Sequence, residues 1–589
     1  MTSDQIIVLV ALIVLVIGLG AGRFKPMHVF LFAYSIVVIG GILDDNEALL
    51  GLANVSVISI ALLLIWSNII RYSATLHTLF KKLLPDNLSY GGYIARITTY
   101  LGSLSGIMNN TPLVAMVIPY VVQWSRRRGI PPSRILIPLS YITIAGGTLT
   151  LLGTSSHLVI NGYITKLGYP DISITALLPI GIVVLLITGL YFWTVGWRLL
   201  PLRRDLSKDT LEQSREYMAE ARVREDSPLV GQTVGKAHLR QLKGLFLVAI
   251  EREGELIVPV KRSEEIQAND ILLFTGNPET IIDLIQSHPG LELPQENKLR
   301  QVSRHEIVEA VVPINSTLVR QRVKDTNFRS KYDAAIIAVH RQGERLRKKI
   351  GDIVLQPGDM LLLMVGGDFW NRVNEDNNIY VVGKVGEVIQ YKGWRDILIV
   401  GGSAVALLLA MLKIVPLFHA LVTLLAGLLL FRIIKLQDLS SRLDWNLLLI
   451  CAMAIPIGFA VKKVGLADKI IESYLAMTGD APIWLMLFAF YLLANLITEI
   501  MFNVGAAAIV APLAVSLATH LDIPIIPVII TAMFAVALSV LTPYGYQVNL
   551  MVMGPGNYRF KDYFRVGLPL ALLYALIVPT IIWITYFHK

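Results

Sequence analysis

Two long, mostly apolar stretches separated by a charged insert constrain this chain more than any other feature. Residues 1–205 and 389–589 contain apolar runs, such as residues 49–70 and 566–586, that approach or exceed the roughly 20 residues needed to cross a bilayer core. Only 16% of the 589 residues are charged, against about 25% in a typical soluble protein. We therefore predict a polytopic α-helical membrane protein with about ten to twelve spanning segments, divided evenly between two halves.

Basic residues gather beside the apolar segments and predict the orientation of the chain. Lys81-Lys82, residues 126–128 and Arg203-Arg204 all flank such segments, and the net charge is +9. Lysine and arginine are enriched on the cytoplasmic side of membrane proteins, so we expect the insert to be cytoplasmic and no nucleic acid to bind. We expect a multi-pass protein of the cell membrane, here a bacterial inner membrane, in contact with membrane lipid.

The insert contains an internal duplication with an offset of 89 residues. Leu229 aligns with Leu318 (318 − 229 = 89), and Asp270 aligns with Asp359 (359 − 270 = 89). Each copy shows short apolar strands separated by Gly, Asn or Asp turns, which predicts two small α+β modules at residues 206–297 and 298–388. The remaining chain divides into a first membrane half, residues 1–205, and a second, residues 389–589.

The last strand of each copy, a Gly or Asn followed by Asp and an apolar run, resembles the TrkA C-terminal (RCK-C) module. The resemblance implies a regulatory module that often dimerises and that in some cases binds a small ligand. A scaffold that holds protomers together and a sensor for an unknown small ligand both remain open. The insert contains no Gly-x-Gly-x-x-Gly motif, so NAD or ATP binding is not expected. We expect no cofactor other than a coupling ion.

Polar interruptions recur at comparable places in the two apolar halves. The first half contains residues 109–112 (Asn-Asn-Thr-Pro) and 153–155 (Gly-Thr-Ser), and the second contains Asn503 and residues 542–545. Paired helix breaks of this kind are the sequence pattern of secondary transporters, and polar groups at membrane depth require a cavity or a partner. Amide and carbonyl oxygens suit a hard cation, whereas helix N-termini suit an anion. No Lys or Arg lies between Arg96 and Val122, which favours a compact divalent anion bound by hydrogen bonds and dipoles.

The breaks resemble those of the divalent anion/sodium symporter (DASS) family, in its sulfate-transporter-like branch with TrkA-C inserts. The resemblance implies inverted repeats, re-entrant hairpins, a homodimer, and sodium-coupled sulfate transport by alternating access. The residues that it places at the substrate are Asn110, Thr111, Ser155, Asn503, Thr542 and Pro543. Those that it places at sodium are Ser105, Asn109, Asn110, Gly153, Thr498 and Asn503.

Departures from the family pattern leave alternatives open. Phe502 and Val504 flank Asn503 where the family has hydroxyl residues, so the number of sodium ions and even sodium coupling stay open. Glu499 is the nearest carboxylate and is a candidate proton relay, unless it caps a neighbouring segment. His157 is either a substrate ligand or a packing residue.

Other functions and substrates remain alternatives to this interpretation. C4-dicarboxylates such as succinate are alternative substrates, and proton coupling is an alternative to sodium. An ion channel fits less well because the chain contains no Thr-Val-Gly-Tyr-Gly filter. No catalytic constellation is recognisable, so we predict that the protein is not an enzyme.

Overall fold

A computed structural model describes most of the chain. It covers residues 1–20, 24–85, 87–203, 218–239, 245–253, 255–276, 284, 288–292, 307–314, 316–342, 344–346, 348, 350–374, 378–382, 391–434, 439, 443–479 and 481–588.

The first membrane half is entirely helical in its described part. Its helices are α1 (Ser3–Gly20), α2 (Pro26–Ile39), α3 (Asp45–Ala48), α4 (Val55–Ile70), α5 (Ala74–Leu83), α6 (Tyr90–Arg96), α7 (Ser103–Ser105), α8 (Asn110–Arg127), α9 (Leu136–Gly147), α10 (Ser155–Lys166), α11 (Leu178–Tyr191) and α12 (Trp197–Leu199). A π-helical segment, Ile97–Gly102, joins α6 to α7, so that the three form one helical arm ahead of the first polar break. Side-chain caps begin several helices; the Asn54 side chain, for example, accepts the amide hydrogen of Ser56 at 2.8 Å at the start of α4.

The insert forms two five-stranded antiparallel sheets. The strands are β1 (Met218–Val223), β2 (Leu245–Arg252), β3 (Glu255–Ile257), β4 (Ile271–Gly276), β5 (Leu291–Glu292), β6 (Ile307–Val311), β7 (Ala334–Arg341), β8 (Glu344–Arg345), β9 (Met360–Val365) and β10 (Tyr380–Val381), with the short helices α13 (Phe328–Tyr332) and α14 (Phe369–Asn374) in the second copy. The strand orders are β3-β2-β4-β1-β5 and β10-β6-β9-β7-β8, which are the same order read from opposite edges.

The 89-residue offset of the sequence also relates details of the two sheets. The pairing of β2 with β4 shifts register between Leu247 and Ala249, and that of β7 with β9 shifts between Ile336 and Ala338. A buried ion pair recurs as well: Arg252 contacts Asp270 at 2.9 Å, and Arg341 contacts Asp359 at 2.7 Å. Both copies therefore fold the same way down to a bulge and an ion pair.

The two sheets pack face to face within one chain. Their shared apolar layer consists of eight buried residues, Val248, Ala249, Leu273, Ala335, Ile337, Ala338, Leu362 and Met364. Arg329 adds polar contacts across this layer, donating to the carbonyl oxygen of Leu247 at 2.8 Å and to that of Val260 at 3.3 Å. The outer face of each sheet has its own separate buried cluster. We call the β1–β5 sheet the first sheet and the β6–β10 sheet the second sheet.

The second membrane half is also helical, and two of its helices follow breaks. Its helices are α15 (Trp394–Met411), α16 (Leu417–Leu430), α17 (Trp445–Lys463), α18 (Leu466–Thr478), α19 (Ile483–Ile500), α20 (Asn503–His520), α21 (Ile525–Ala537), α22 (Gln547–Met553) and α23 (Phe560–Tyr586). The break between α19 and α20 corresponds to that before α8, and residues 538–546 correspond to the irregular residues 148–154 before α10.

Within the described residues, seven helices are long and apolar enough to cross a membrane. They are Ser3–Gly20, Leu178–Leu199, Trp394–Met411, Trp445–Lys463, Ile483–Ile500, Asn503–His520 and Phe560–Tyr586. Four shorter apolar helices accompany them, Pro26–Ile39, Val55–Ile70, Leu417–Leu430 and Ile525–Ala537. The fold is that of a helical, multi-span membrane protein with a sheet-containing insert.

Candidate functional site

Four helices begin at the walls of one internal cavity. Asn109, Thr154, Phe502 and Tyr546 are the N-cap residues of α8, α10, α20 and α22, and all four line this cavity. Three of the helices are long, with 18, 12 and 18 residues for α8, α10 and α20. Because the N-terminus of a helix carries a partial positive charge, these helices direct positive potential toward the cavity.

The cavity has a volume of about 60 Å³ and a neutral lining. That volume exceeds the roughly 10–15 Å³ that one water molecule requires, so a small ion with some water fits. Its described lining consists of Pro26, Asn109, Thr111, Thr154, Ser155, Ile314, Leu447, Ile450, Phe502, Asn503, Val504, Tyr544, Gly545, Tyr546 and Gln547. None of these side chains is charged, so an anion there would be held by dipoles, hydroxyls and amides, or by a cation that enters with it.

The first break is held by the fully buried side chain of Asn110. Its Nδ2 donates to the hydroxyl oxygen of Tyr546 at 2.8 Å, and its Oδ1 contacts the hydroxyl of Ser105. The Ser105 hydroxyl also lies 2.6 Å from the carbonyl oxygen of Thr143 on α9. Pro112 suits the first turn of a helix. Helix α8 begins two residues earlier, at Asn110, because the Asn109 side chain caps it by accepting the Thr111 amide hydrogen at 3.1 Å.

Glycines allow the backbones around this break to approach closely. A Cβ on Gly147 would lie 2.7 Å from Nδ2 of Asn110. A Cβ on Gly153 would lie 2.3 Å from the carbonyl oxygen of Gly147 and 2.7 Å from that of Ser105. Since backbone atoms cannot move aside as a flexible side chain can, position 153 requires glycine, whereas a side chain at position 147 would displace the amide of Asn110. Gly153 therefore acts in this structure by letting two backbone segments touch.

The second break presents a buried polar atom that lacks a partner. Asn503 is 6% exposed and lines the cavity, and its Oδ1 has no hydrogen-bond partner among the described residues. A buried amide oxygen without a partner costs on the order of 1–3 kcal/mol, so such an atom calls for a ligand, water or ion. The Oδ1 atom of Asn503 is thus available to a hydrogen-bond donor or a cation in the cavity.

Glu499 organises the extended segment that precedes α22. Its Oε1 accepts the amide hydrogens of Val540 at 2.7 Å and Leu541 at 2.8 Å, and its Oε2 accepts that of Thr542 at 2.9 Å. The hydroxyl of Thr542 in turn donates to the carbonyl oxygen of Glu499 at 3.0 Å. This arrangement matches the alternative in which Glu499 caps a neighbouring segment, and a role as proton relay stays a prediction.

The structure brings some of the predicted site residues to the cavity and places others behind it. Asn109, Thr111, Ser155 and Asn503 line the cavity. Asn110, Ser105 and Gly153 are buried behind its wall, where they fix the first break. Thr498 is buried and donates to the carbonyl oxygen of Val536 at 2.9 Å, and Thr542 and Pro543 belong to the segment that Glu499 holds. The assignment of individual residues to substrate or sodium stays a prediction.

His157 lies away from the cavity lining, in the packed interior. Its Nδ1 is 3.3 Å from the carbonyl oxygen of Thr150, and its Nε2 is 3.3 Å from that of Met533. The ring also packs at a tilt against Phe534. These contacts agree with the interpretation of His157 as a packing residue.

Two polar cavity residues were given no role from the sequence. The hydroxyl of Tyr546 accepts from Asn110 and lies 3.5 Å from the hydroxyl of Thr154, so it joins the second half to both breaks of the first. Oε1 of Gln547 lies 3.4 Å from the hydroxyl of Thr111. The sequence offered one available signal, since both residues follow the Thr-Pro break directly at the start of a helix.

Comparison with known proteins identifies the family. The model of the citrate transporter family, CitMHS, matches residues 6–527, which covers both breaks before α8 and α20 and the whole insert. The chain belongs to this family. Its members and relatives are transporters, so the prediction that the protein is not an enzyme is confirmed.

Two relatives align with this chain over nearly their whole length. A Chlamydomonas reinhardtii protein named "Putative sulfur deprivation response regulator" is 31% identical over 583 residues, covering 95% of this chain and 98% of that protein. A Synechocystis protein named as an uncharacterized transporter is 28% identical and covers 94% of this chain and 92% of its own length. Sodium/sulfate cotransporter 1 of Chlamydomonas reinhardtii is 27% identical over 60% of this chain and 42% of its own length. The predicted class, a membrane transporter for a divalent anion, is confirmed, and the family is that of citrate and sulfate transporters.

Proposed function

We propose that the protein is a secondary active transporter that carries a small divalent anion, with sulfate as the first candidate, together with sodium. The observation that carries this proposal is the neutral cavity at which α8, α10 and α20 begin, with the unpartnered Oδ1 of Asn503 in its wall. Helix N-termini favour an anion, and an amide oxygen favours a cation. Uptake of both ions would bring opposite charges together in a cavity whose lining contains no charged side chain.

The choice of sulfate and sodium is supported by relatives rather than by geometry. One relative is named as a sodium/sulfate cotransporter, and the family model is named for citrate transport. Citrate and C4-dicarboxylates are therefore the second candidates, because an amide and hydroxyl cradle also accepts carboxylates. Proton coupling is the alternative to sodium coupling.

The transport cycle that we propose is alternating access between two halves related as inverted repeats. The breaks before α8, α10, α20 and α22 would move as one unit around the cavity, and the protein would form a homodimer through its remaining helices. We also propose that the two sheets are TrkA-C modules on the cytoplasmic side. Their apolar faces already pack against each other in one chain, which favours an internal pair over pairing between protomers.

Uptake by proteoliposomes tests the proposal directly. Purified protein should accumulate radiolabelled sulfate when an inward sodium gradient is imposed. A fall in this uptake when unlabelled succinate or citrate is added in excess would show that they compete with sulfate. Replacing sodium by choline at constant pH, with and without an imposed pH gradient, separates sodium from proton coupling. Absence of sulfate uptake under every gradient, together with strong citrate uptake, would reject sulfate as the substrate.

The Asn503→Ala variant connects transport to the cavity. Removal of the amide should lower sodium-driven sulfate uptake at least tenfold while the protein still purifies as a folded species, because Asn503 makes no hydrogen bond through Oδ1 that the fold would lose. Asn46→Ala is the matched control, since Asn46 is exposed on α3 and lies outside the cavity lining. Normal uptake by Asn503→Ala would contradict the site.

A further inference from the structure

The second sheet is packed against the membrane helices. Val311 at the end of β6 and Val382 just after β10 are each 1% exposed and belong to the same buried cluster as the membrane helices. Tyr380 on β10 packs partly against that cluster, and its ring lies 5.8 Å from the guanidinium carbon of Arg71 at the end of α4. The insert is therefore joined to the membrane part by an apolar contact as well as by the chain connection.

One residue of the insert reaches the cavity itself. Ile314, three residues after β6, lines the cavity with Asn109, Thr111 and Asn503. Of the described lining residues, it is the only one that comes from the insert, and all the others belong to the membrane halves. The cavity wall is thus apolar where the insert contributes to it.

Two close contacts hold the second sheet in this position. Nη2 of Arg126, near the end of α8, lies 2.9 Å from Oε2 and 3.2 Å from Oε1 of Glu309 on β6, and Glu309 is only 6% exposed. The turn before β9 approaches the end of α22 so closely that a Cβ on Gly554 would lie 2.9 Å from the carbonyl oxygen of Gly358. Both helices begin at the cavity, so the sheet contacts the far ends of two elements that would move during transport.

We propose that the second sheet is an autoinhibitory plug, in which Ile314 obstructs one mouth of the cavity and the contact between Glu309 and Arg126 holds it there. Solute passes that mouth only after the sheet withdraws from α8 and α22. That the plug inhibits transport rests on the proposed function, but the obstruction of the cavity can be measured without any substrate.

The arrangement of the insert shows how a signal would act on the plug. The first sheet packs on the face of the second sheet that is built from Ala335, Ile337, Leu362 and Met364. A change at the first sheet is transmitted through this apolar layer to β7 and β9, and through β9 to β6, which carries Glu309. The first sheet is thus the element on which a ligand or partner would act to withdraw the second sheet and open the cavity.

Thiol labelling measures the obstruction. Cys451 is the only cysteine, so a Cys451→Ala background with Leu447→Cys places a single thiol on the cavity wall. The rate of its reaction with a membrane-impermeant maleimide, applied from the side of the insert, reports the open fraction of the cavity. When Glu309→Arg is added to this background, the thiol should react about tenfold faster, because like charges then face each other across the contact. The charge-swapped Arg126→Glu/Glu309→Arg variant should return to the slow rate.

A second ion pair, in the same copy of the insert but outside its strands, provides the control. Lys324 and Asp352 are paired at 2.9 Å and are each 51% exposed, so Lys324→Glu should leave the labelling rate unchanged. Should Glu309→Arg fail to fold, Glu309→Gln gives the same test with a smaller acceleration. Labelling at the parent rate in a folded Glu309 variant would overturn the plug. Faster labelling without any sulfate uptake would instead retain the plug and reject the proposed function, whereas faster labelling with faster sulfate uptake supports both.

Discussion

Single polar residues in this protein divide into those that line the cavity and those that hold its walls. Asn503 presents an amide oxygen without a described partner to the cavity, whereas the Oδ1 and Nδ2 atoms of Asn110 are hydrogen-bonded to Ser105 and Tyr546. The two asparagines occupy comparable positions in the sequence of the two halves, yet only one is available to a ligand. Residue type at a break therefore does not decide whether the side chain binds a ligand or stabilises the wall of the cavity.

Glu499 provides a test of this distinction. Glu499→Gln keeps the size of the side chain but replaces one acceptor oxygen by a donor that faces backbone amide hydrogens. We expect a loss of about 1–3 kcal/mol in stability, because a buried amide hydrogen near Val540–Thr542 is left without an acceptor. The midpoint of thermal unfolding in detergent should fall at every pH. An unchanged midpoint together with a lost pH dependence of uptake would identify Glu499 as a proton relay instead.

At the scale of elements, glycine contacts between helices set the geometry of the breaks. Gly146 lies on α9, where a Cβ would stand 2.2 Å from the carbonyl oxygen of Gly102 and 2.7 Å from its Cα. The helical arm of the first half can approach α9 this closely only because Gly146 carries no side chain. The place of Asn110 and Ser105 next to the cavity depends on that approach.

Gly146→Ala is the corresponding prediction. The added methyl group would have to displace backbone, so we expect a loss of about 1–3 kcal/mol in stability and a matching fall in the unfolding midpoint. Gly401→Ala is the control, since Gly401 lies within α15 and no atom comes within 4 Å of its added Cβ. That variant should be neutral or stabilising by up to about 1 kcal/mol, because alanine favours a helix more than glycine does. Equal midpoints for the two variants would contradict the proposed role of the contact.

At the scale of the whole molecule, two membrane halves and the second sheet meet around one cavity. The halves contribute corresponding breaks, and the second sheet contributes Ile314. The first sheet reaches the membrane part only through the second, as far as the described contacts show. The insert thus forms a linear arrangement from the first sheet to the second sheet and from there to the cavity.

Ile337→Asp tests whether the two sheets act as a unit. Ile337 is 1% exposed in the layer between them, and a carboxylate there would be buried without a partner. We expect the sheets to separate, so that limited proteolysis cleaves the insert markedly faster while the membrane part keeps its elution volume in gel filtration. Val354→Asp is the control on the same module, because Val354 is 42% exposed. Proteolysis of Ile337→Asp at the rate of the parent protein would show that the layer does not hold the sheets together.

The sequence by itself determined the class of this protein and the places where its helices break. Apolar runs of membrane length specify spanning helices because the bilayer core offers no partner for exposed backbone groups. Asparagine, glycine and proline mark the breaks because they favour caps and turns over helix interiors. The duplication in the insert could be recognised because both copies keep an Arg, a Gly and an Asp at matching positions (252 and 341, 254 and 343, 270 and 359), at an offset of 89 residues.

Only the tertiary structure decided which side chains meet at the cavity. Asn110 and Tyr546 are 436 residues apart, and their contact follows from how α8 and α22 pack against each other. The same is true of Ile314 beside Asn109 and of the two sheets that cover each other. Local pattern specifies the conformation of a segment, but long-range partners depend on which apolar faces pack together, and that is settled only when the whole chain is folded.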